Sequence, residues 1–466
     1  MRARHLLACA VIVALVLLTS LEVLVSQHRR YPRLVSRGVT LRTTSADIMD
    51  NSGTTTTQPA GSPASQTDSA LRCSAHLRRN KFLAYAAHSG FGNQELALRR
   101  ALLVSYVLNR TLVLPPVLRQ ADLAFGPPEV RCRNASWQAL LKARAERIYA
   151  SKLDAGVHVY ESLLRAFDFG ELDRVGVHVI DYAALMTHER QQLRVAPLAP
   201  LGCAKSDRYT AHGLQEALQP LESAPYVWLG SAYFLRAKLD SLLGADACFE
   251  SVHRAVLRLP LAPSIQLVRD LALSRLAAPF ASVHLRMTDA GAADATSATR
   301  QLMREIEWLR ARLAARLTPR GCCGLYVATN VLGGTRSTPL APLCSNGAMA
   351  RSASTSASSV DVGAFNCSDL NTLGVSSSPQ WRSMINVTGL SFGTAAVLLD
   401  QAIGASAGRG FYATSKFCGP PGFRRSTFSE GIALRWAQEH GHPPLCAHAI
   451  ENALPKGMAA HGTFVY

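Results

Sequence analysis

The fold is decided by residues 81–116, which read KFLAYAAHSGFGNQELALRRALLVSYVLNRTLVLPP. The apolar run at 81–87 predicts a strand, and a polar turn with two glycines follows it. Apolar residues then recur at helical spacing in ELALRRALLVSYVL, and a second strand follows in TLVLPP, which two prolines end. A strand, a helix and a strand in this order predict a β–α–β unit and a parallel sheet.

A second α/β unit follows Pro263. It predicts a helix in SIQLVRDLALSRL, a strand in FASVHLR, a long amphipathic helix in TRQLMREIEWLRARLAARL and a strand in GLYVATN. Residues 333–380 are rich in Ser, Gly and Ala, so we expect a flexible, disordered surface insertion there. Order returns with a helix in TAAVLLDQAIGA, a strand in GFYATS and a helix in STFSEGIALRWAQEHG. We therefore predict an α/β protein with two Rossmann-like domains, residues 73–262 and 263–466.

The N-terminal segment, residues 1–26, contains the apolar run Leu6–Val25 with Glu22 as its one charge. Twenty helical residues rise about 30 Å, enough to cross a bilayer, and no small-residue cleavage site follows. We expect an uncleaved signal anchor with the rest of the chain in the lumen, although four arginines shortly after the span do not favour that orientation. Residues 27–72 are rich in Ser and Thr and predict a flexible stem.

Cysteines and glycosylation sequons favour the lumen. Of eleven cysteines, Cys9 lies in the apolar run, and none of the others forms a C-x-x-C pair. Disulfides in an oxidising compartment fit this pattern better than zinc does. N-x-S/T sequons occur at Asn109, Asn134, Asn366 and Asn386. An anchor, a stem and a globular body are the layout of a Golgi transferase, and also of many cell-surface proteins.

The chain carries a formal net charge of +17, which indicates an anionic partner or merely a bias toward arginine. No basic helix with interleaved aromatic residues and no zinc-finger spacing is found, so we expect no nucleic-acid partner.

Three turns between a strand and a helix contain candidate site residues. In SGFGNQ, Gly90 and Gly92 allow a ligand to approach the backbone, and Asn93 is placed to cap a helix whose N–H groups attract anions. The turn matches neither the P-loop nor G-x-G-x-x-G, and the residues alone favour an ordinary glycine turn with an Asn cap.

The second turn, HLRMTD, follows an apolar strand, so His284 and Arg286 share a face of that strand. The planar donor fork of an arginine suits a diphosphate, and Asp289 is placed to orient it. A surface ion pair beside a packed histidine is the ordinary explanation.

The third turn, RRSTFSEGIALRW, predicts a capping box of Thr427 and Glu430, with hydroxyls and free N–H groups for a phosphate. Such a box more often marks an ordinary helix start. The sequence contains no D-x-D, H-E-x-x-H or G-x-S-x-G, so we expect no metal, with arginines and helix ends neutralising a leaving diphosphate instead.

Taken in order, the chain resembles the GDP-fucose protein O-fucosyltransferase family in GFGNQ, NRTLVLPP, VHLR, LYVATN and STFSE. The resemblance covers about residues 80–118, 280–330 and 396–436. The H-x-R-x-T-D turn is also similar to that of α1,6-fucosyltransferases, so it marks the donor more than the acceptor. The resemblance implies a GT-B-like fold with two Rossmann-like domains facing a central cleft, GDP-fucose as donor, inversion at the anomeric carbon and no obligatory metal or other cofactor.

Site residues follow from the same resemblance. It implies that Arg286 contacts the β-phosphate and helps GDP to leave, and that Asn93 lies beside the reacting sugar. Asn330 stands where family members often have Asp. Glu95 and Asp289 are candidate general bases. The residues that the resemblance implies for donor binding are Gly90, Phe91, Gly92, Asn93, His284, Arg286, Asp289, Ser426, Thr427 and Phe428.

Three functions remain open from the sequence. The first is a Golgi enzyme that moves fucose to a protein Ser or Thr, and the second uses the same donor with a glycan acceptor. The third is a luminal binding protein that keeps the fold without catalysis.

Overall fold

A computed structural model describes residues 81–119, 122–123, 137–156, 159–187, 194–195, 209–233, 237–239, 242–243, 245–276, 278–285, 303–311, 313, 324–329, 343–344, 365–413 and 426–440. All of them belong to one compact unit, Pro63–Tyr466. The expected anchor and stem and the site residues Arg286, Asp289 and Asn330 lie outside the described residues.

The first sheet contains five strands that all pair in parallel, in the order β3-β2-β1-β6-β4. Its strands are β1 (Phe82–Ala84), β2 (Thr111–Leu114), β3 (Val179–Asp181), β4 (Arg194–Val195) and β6 (Tyr226–Trp228). A separate parallel pair joins β5 (Tyr209–Thr210) to β7 (Ala237–Lys238). Between β1 and β6 the chain direction across the sheet reverses, which makes this a topological switch point where α/β proteins bind ligands.

Helices connect these strands and cover the sheet. The helices of this part are α1 (Phe91–Val107), α2 (Trp137–Asp154), α3 (Gly170–Arg174), α4 (Tyr182–Thr187), α5 (Ala211–Leu218) and α6 (Ala247–Arg258). The predicted β–α–β unit is thus confirmed as β1, α1 and β2, with Phe82 to Ala84 in register with Thr111 to Val113.

The second sheet contains four parallel strands in the order β10-β9-β8-β11. Its strands are β8 (Phe280–Leu285), β9 (Gly324–Thr329), β10 (Asn366–Ser368) and β11 (Phe411–Ala413). The helices of this part are α7 (Pro263–Arg275), α8 (303–311), α9 (Pro379–Thr388), α10 (Phe392–Ala405) and α11 (Thr427–His440). The switch point here lies between β8 and β11. The predicted α/β class is confirmed, with two parallel sheets.

Strand alternation divides the core into layers. Leu83 and Tyr85 of the β1 segment join the largest buried cluster, whereas Ala84 faces a second cluster against α2. The largest cluster also contains residues from the second sheet and its helices, such as Tyr326 and Leu398. One continuous core therefore holds both sheets in place.

The expectation of a disordered insertion over residues 333–380 is wrong for its C-terminal part. Cys367 lies in β10, which pairs with β9, and forms a disulfide with Cys344. Leu370 and Val375 are buried. Strand pairing, one disulfide and a few buried apolar residues hold this part of the segment, and averaging over its Ser-rich composition hides them. Cys248 is also disulfide-bonded, so the predicted disulfides are confirmed at these positions.

Among the described helices, none alone has the length and hydropathy needed to cross a bilayer. Helices α9 and α10 meet these criteria only as a pair, with a bend of 114° between them.

Candidate functional site

The turn after β1 opens helix α1 earlier than the sequence indicated. The helix begins at Phe91, Gly90 is its N-cap, and no side chain caps it. The expectation that Asn93 caps the helix is therefore wrong, and Asn93 lies half-buried in the first turn, with its N–H bonded to the carbonyl of Gly90 at 2.9 Å. The left-handed residue of this turn is Ser89, with φ of 60°, because Gly90 has an ordinary φ of −64°.

Side chains from both strands of the first switch point hold this turn. His88 is buried, its Nδ1 lies 2.9 Å from Ser89 Oγ, and its Nε2 lies 2.9 Å from Ser231 Oγ, just beyond β6. Gln94 Nε2 donates to the carbonyls of Ser89 and Leu118 at 2.8 and 2.6 Å. These bonds stabilise the unusual φ of Ser89, and among the described residues no side chain caps the first N–H groups of α1.

The second and third predicted turns meet at the carboxyl end of β8. His284 Nδ1 lies 2.7 Å from Ser429 Oγ, and the rings of His284 and Phe428 lie 4.4 Å apart at 34°. Ser426 is buried, directly precedes α11, and its Oγ accepts a long bond of 3.4 Å from Ser429 N. The capping residue is therefore Ser426 and not Thr427, which is the first residue of the helix. Both residue types cap helices well, so the sequence left the register ambiguous.

An ion cluster joins the first turn to the third. Glu95 Oε1 accepts from Arg99 Nη2 at 2.8 Å and from Arg435 Nη2 of α11 at 2.7 Å. Glu95 and Arg99 are each 1% exposed and Arg435 is 6% exposed. Burial favours the neutral carboxyl, but the charges of Arg435 and Arg99 outweigh it and hold the pKa of Glu95 below its usual value. A buried carboxylate that already accepts from two arginines is a poor proton acceptor, so the structure does not support Glu95 as a general base.

Other contacts extend this cluster to two more helices. Arg99 Nη1 donates to the carbonyls of Val256 and Leu257 in the last turn of α6, the second at 2.7 Å. These carbonyls are the negative end of that helix. Gln401 of α10 lies beside Glu95 and also lowers its pKa.

Of the predicted site residues, the structure thus brings together His284, Ser426 and Phe428. The first turn is linked to them because Glu95 of α1, which follows that turn, accepts from Arg435 of α11. Thr427 begins α11, and Arg286 would directly follow the last residue of β8, Leu285. No described residue tests the placement of Arg286 or Asp289.

Sequence reasoning missed several polar residues of this region. His88, Ser231 and Ser429 lie at the switch points, and Tyr326 OH donates to Asp400 Oδ1 at 2.5 Å. Burial raises the pKa of Asp400, the bond from Tyr326 lowers it and the Asp369 carboxylate raises it, and the net value is about 7. A lone acid inside the apolar run AAVLLDQAI was the available signal.

A cavity of about 470 Å³ opens at the amino-terminal ends of the strands of the first sheet, lined by Lys81, Asn109, Arg110 and His212 among others. These residues include the starts of β1 and β2, whereas ligands of α/β folds bind at the carboxyl ends of strands. We therefore place the candidate site at the carboxyl ends. Within the described ranges no group of three or more His, Cys, Asp or Glu side chains is arranged to hold a metal.

No family model matches the chain. It is 38% identical over 104 residues to O-fucosyltransferase 30 of Arabidopsis thaliana, which is 20% of this chain and 20% of that protein. The chain thus matches about a fifth of the length of this curated relative. The resemblance to O-fucosyltransferases is confirmed over this part of the chain.

Among solved structures, the chain is similar to POFUT1 in complex with GDP-fucose, with a TM-score of 0.42 and 14% identity over 78% of this chain and 95% of that one. It is also similar to the NodZ α-1,6-fucosyltransferase soaked with GDP-fucose, with a TM-score of 0.37 and 13% identity over 76% of this chain and 92% of that one.

Proposed function

We propose that this protein is a fucosyltransferase that uses GDP-fucose as its donor. The observation that carries the proposal is the meeting of His284, Phe428 and Ser429 at the β8–β11 switch point, beside the start of α11. Hydroxyls and free N–H groups at a helix start suit a phosphate, and Phe428 offers an aromatic face. The partial match to an O-fucosyltransferase supports the same reading.

On this proposal, the donor diphosphate lies between the start of α11 and Arg286. The guanidinium of Arg286 binds the β-phosphate and stabilises the charge that develops on GDP as the bond from the anomeric carbon to the phosphate oxygen breaks. Ser426, Thr427 and Phe428 hold the phosphates and the nucleotide, and His284 supports the pocket. No metal or other cofactor takes part.

The acceptor on this proposal is a Ser or Thr hydroxyl of a secretory-pathway protein. Its oxygen attacks the anomeric carbon from the face opposite to GDP, and the configuration inverts. Asn93, in the first turn of α1, lies beside the reacting sugar, and the turn Gly90–Gly92 presents backbone N–H groups to the donor. With Glu95 committed to its ion pairs, Asp289 stays as the candidate to receive the acceptor proton.

We further propose that the chain is a single-pass type II protein of the Golgi membrane with its body in the lumen. The disulfide between Cys344 and Cys367 supports an oxidising compartment.

The experiment that tests the function measures GDP release and fucose transfer by the full chain. The acceptors are Ser/Thr-containing protein domains and, separately, oligosaccharides, and the product linkage is determined. We expect transfer by the wild type and its loss in Arg286→Ala, with turnover lowered more than donor binding because the arginine acts mainly in the transition state. Arg382→Ala, which alters an exposed arginine on α9, is the matched control and should keep full activity.

Each result separates the alternatives. Transfer to oligosaccharides alone would establish a glycan-directed enzyme. Binding of GDP-fucose without GDP release or transfer would indicate a non-catalytic binding protein, and equal activity of Arg286→Ala and wild type would contradict the assigned role of Arg286.

A further inference from the structure

Helices α1, α10 and α11 meet at a junction that carries both charge and close packing. We define the Glu95 junction as Glu95, Arg99, Gln401, Gly431 and Arg435. The bond between Glu95 and Arg435 joins residues 340 positions apart, so it ties the first sheet's leading helix to the last described helix. Every side chain of the junction is buried.

Gly431 allows the helices to approach at this point. A Cβ at position 431 would lie 2.6 Å from Gln401 Nε2, 3.2 Å from Gln401 Cδ and 3.4 Å from Glu95 Oε2. Glycine is less favourable than alanine within a helix, so its presence here needs a packing reason. The distances supply that reason: to make room for a larger residue, either the buried amide of Gln401 must leave its place beside Glu95 or α11 must move away from α10 and α1.

The junction lies one helical turn from both predicted halves of the donor site. In α11, Ser426, Phe428 and Ser429 precede Gly431 by two to five positions. In α1, Asn93 precedes Glu95 by two positions. Because a helix is stiff over one turn, a shift of α11 at Gly431 moves its first turn by a similar amount.

We propose that Glu95, Gly431 and Arg435 are positioning residues that set the start of α11 against the start of α1 for donor binding. This inference rests on the proposed function. Well-packed apolar side chains often stabilise a core as much as a buried ion pair does. The carboxylate and guanidinium add direction, because each bond between them fixes an angle and a distance that apolar packing does not.

The test compares Gly431→Ala with Gly393→Ala in the full chain. Both glycines are helical, but a Cβ at position 393 meets nothing within 4 Å. Calorimetry gives the dissociation constant for GDP, and thermal unfolding gives the melting temperature. We expect Gly431→Ala to weaken GDP binding about tenfold or more, as when one charge-assisted hydrogen bond is lost, and Gly393→Ala to bind like wild type.

Two further variants separate positioning from mere stability. Met384→Ala removes a buried side chain of α9 outside the junction, and it should lower the melting temperature without changing the affinity for GDP. Gln401→Ala added to Gly431→Ala removes the atoms that the new Cβ meets, so it should restore part of the GDP affinity.

The failures are distinguishable. If folded wild type does not bind GDP, both the proposed function and this inference are overturned. If wild type binds GDP and Gly431→Ala binds it equally well, the positioning role alone is overturned. If Met384→Ala and Gly431→Ala lower the melting temperature equally and also weaken GDP binding equally, the loss of affinity follows from lost stability alone. That result would also overturn the positioning role.

Discussion

Replacing Glu95 by glutamine removes the carboxylate that pairs with both Arg99 and Arg435. The glutamine keeps the shape and one acceptor oxygen, so the change isolates the charge. Arg99 retains its hydrogen bonds to the carbonyls of Val256 and Leu257. Arg435 retains the ring of Phe167, 5.8 Å from its guanidinium carbon, and the attraction of Glu439. The energetic loss therefore falls mainly on Arg435.

The expected cost follows from the burial of these groups. Removing one partner of a buried ion pair destabilises a protein by about 3–5 kcal/mol, because a charge is left uncompensated. Since glutamine still accepts one hydrogen bond, we expect Glu95→Gln to lower the free energy of unfolding by about 2–4 kcal/mol. Urea unfolding of the full chain, followed by tryptophan fluorescence, measures this difference.

A double-mutant cycle tests the physical reason. Arg435→Met replaces the guanidinium by an apolar side chain, and the double variant Glu95→Gln/Arg435→Met removes both charges of the pair. We expect the double variant to be less destabilised than the sum of the single variants by about 1–3 kcal/mol. Additive losses would refute the reasoning, because they would show that the two side chains do not interact.

The pH dependence gives a second check with a definite sign. The pKa of Glu95 is lowered on folding, so its contribution is fully present above about pH 4.5 and is lost as the pH falls through the folded value. Glu95→Gln lacks this group, so the gap between the two stabilities should close below pH 4.5. A gap that stays constant down to pH 3 would contradict the ion pair.

Three further predictions concern other parts of the fold. The pKa of Asp400 is raised to about 7 in the folded protein, so the free energy of unfolding should decline as the pH rises from about 4 to 7. Asp400→Asn, which still accepts from Tyr326, should remove this decline in urea unfolding. A decline that is unchanged in Asp400→Asn would contradict the raised pKa. Cys344→Ser/Cys367→Ser opens a loop with a sequence separation of 23, and we expect the free energy of unfolding to fall by about 3 kcal/mol. An unchanged free energy of unfolding would contradict the disulfide. Asn386 is exposed in the sequon N-V-T, so we expect a glycan there after expression in a secretory host. Treatment with a glycan-releasing enzyme should then change the mass of peptides that contain Asn386, and an unchanged mass would contradict luminal exposure.

Much of the fold was predictable because its strands and helices repeat a strong local pattern. The apolar runs around Phe82, Leu112 and Val283 became β1, β2 and β8, and the long apolar helix after the first turn became α1. Such elements depend on neighbours a few residues away, which the sequence displays directly.

The parts that failed depend on distant contacts or on competing local signals. Helix α1 begins at Phe91 with Gly90 as its N-cap, because Ser89 takes a left-handed conformation that His88 and Gln94 hold. A serine does not by itself indicate that conformation. No local pattern links Glu95 to Arg435, although each stands out as a charge on an apolar helix. A composition average likewise hid the crosslinked segment around Cys367.

The most direct test of the central claim is a calorimetric titration of the full chain with GDP-fucose, with GDP-mannose and UDP-sugars as controls and Arg286→Ala alongside. We predict binding that is selective for GDP-fucose and weaker in Arg286→Ala, by a smaller factor than the loss of turnover in the same variant. A folded protein that binds no GDP-sugar, or that binds UDP-sugars equally well, would contradict the account.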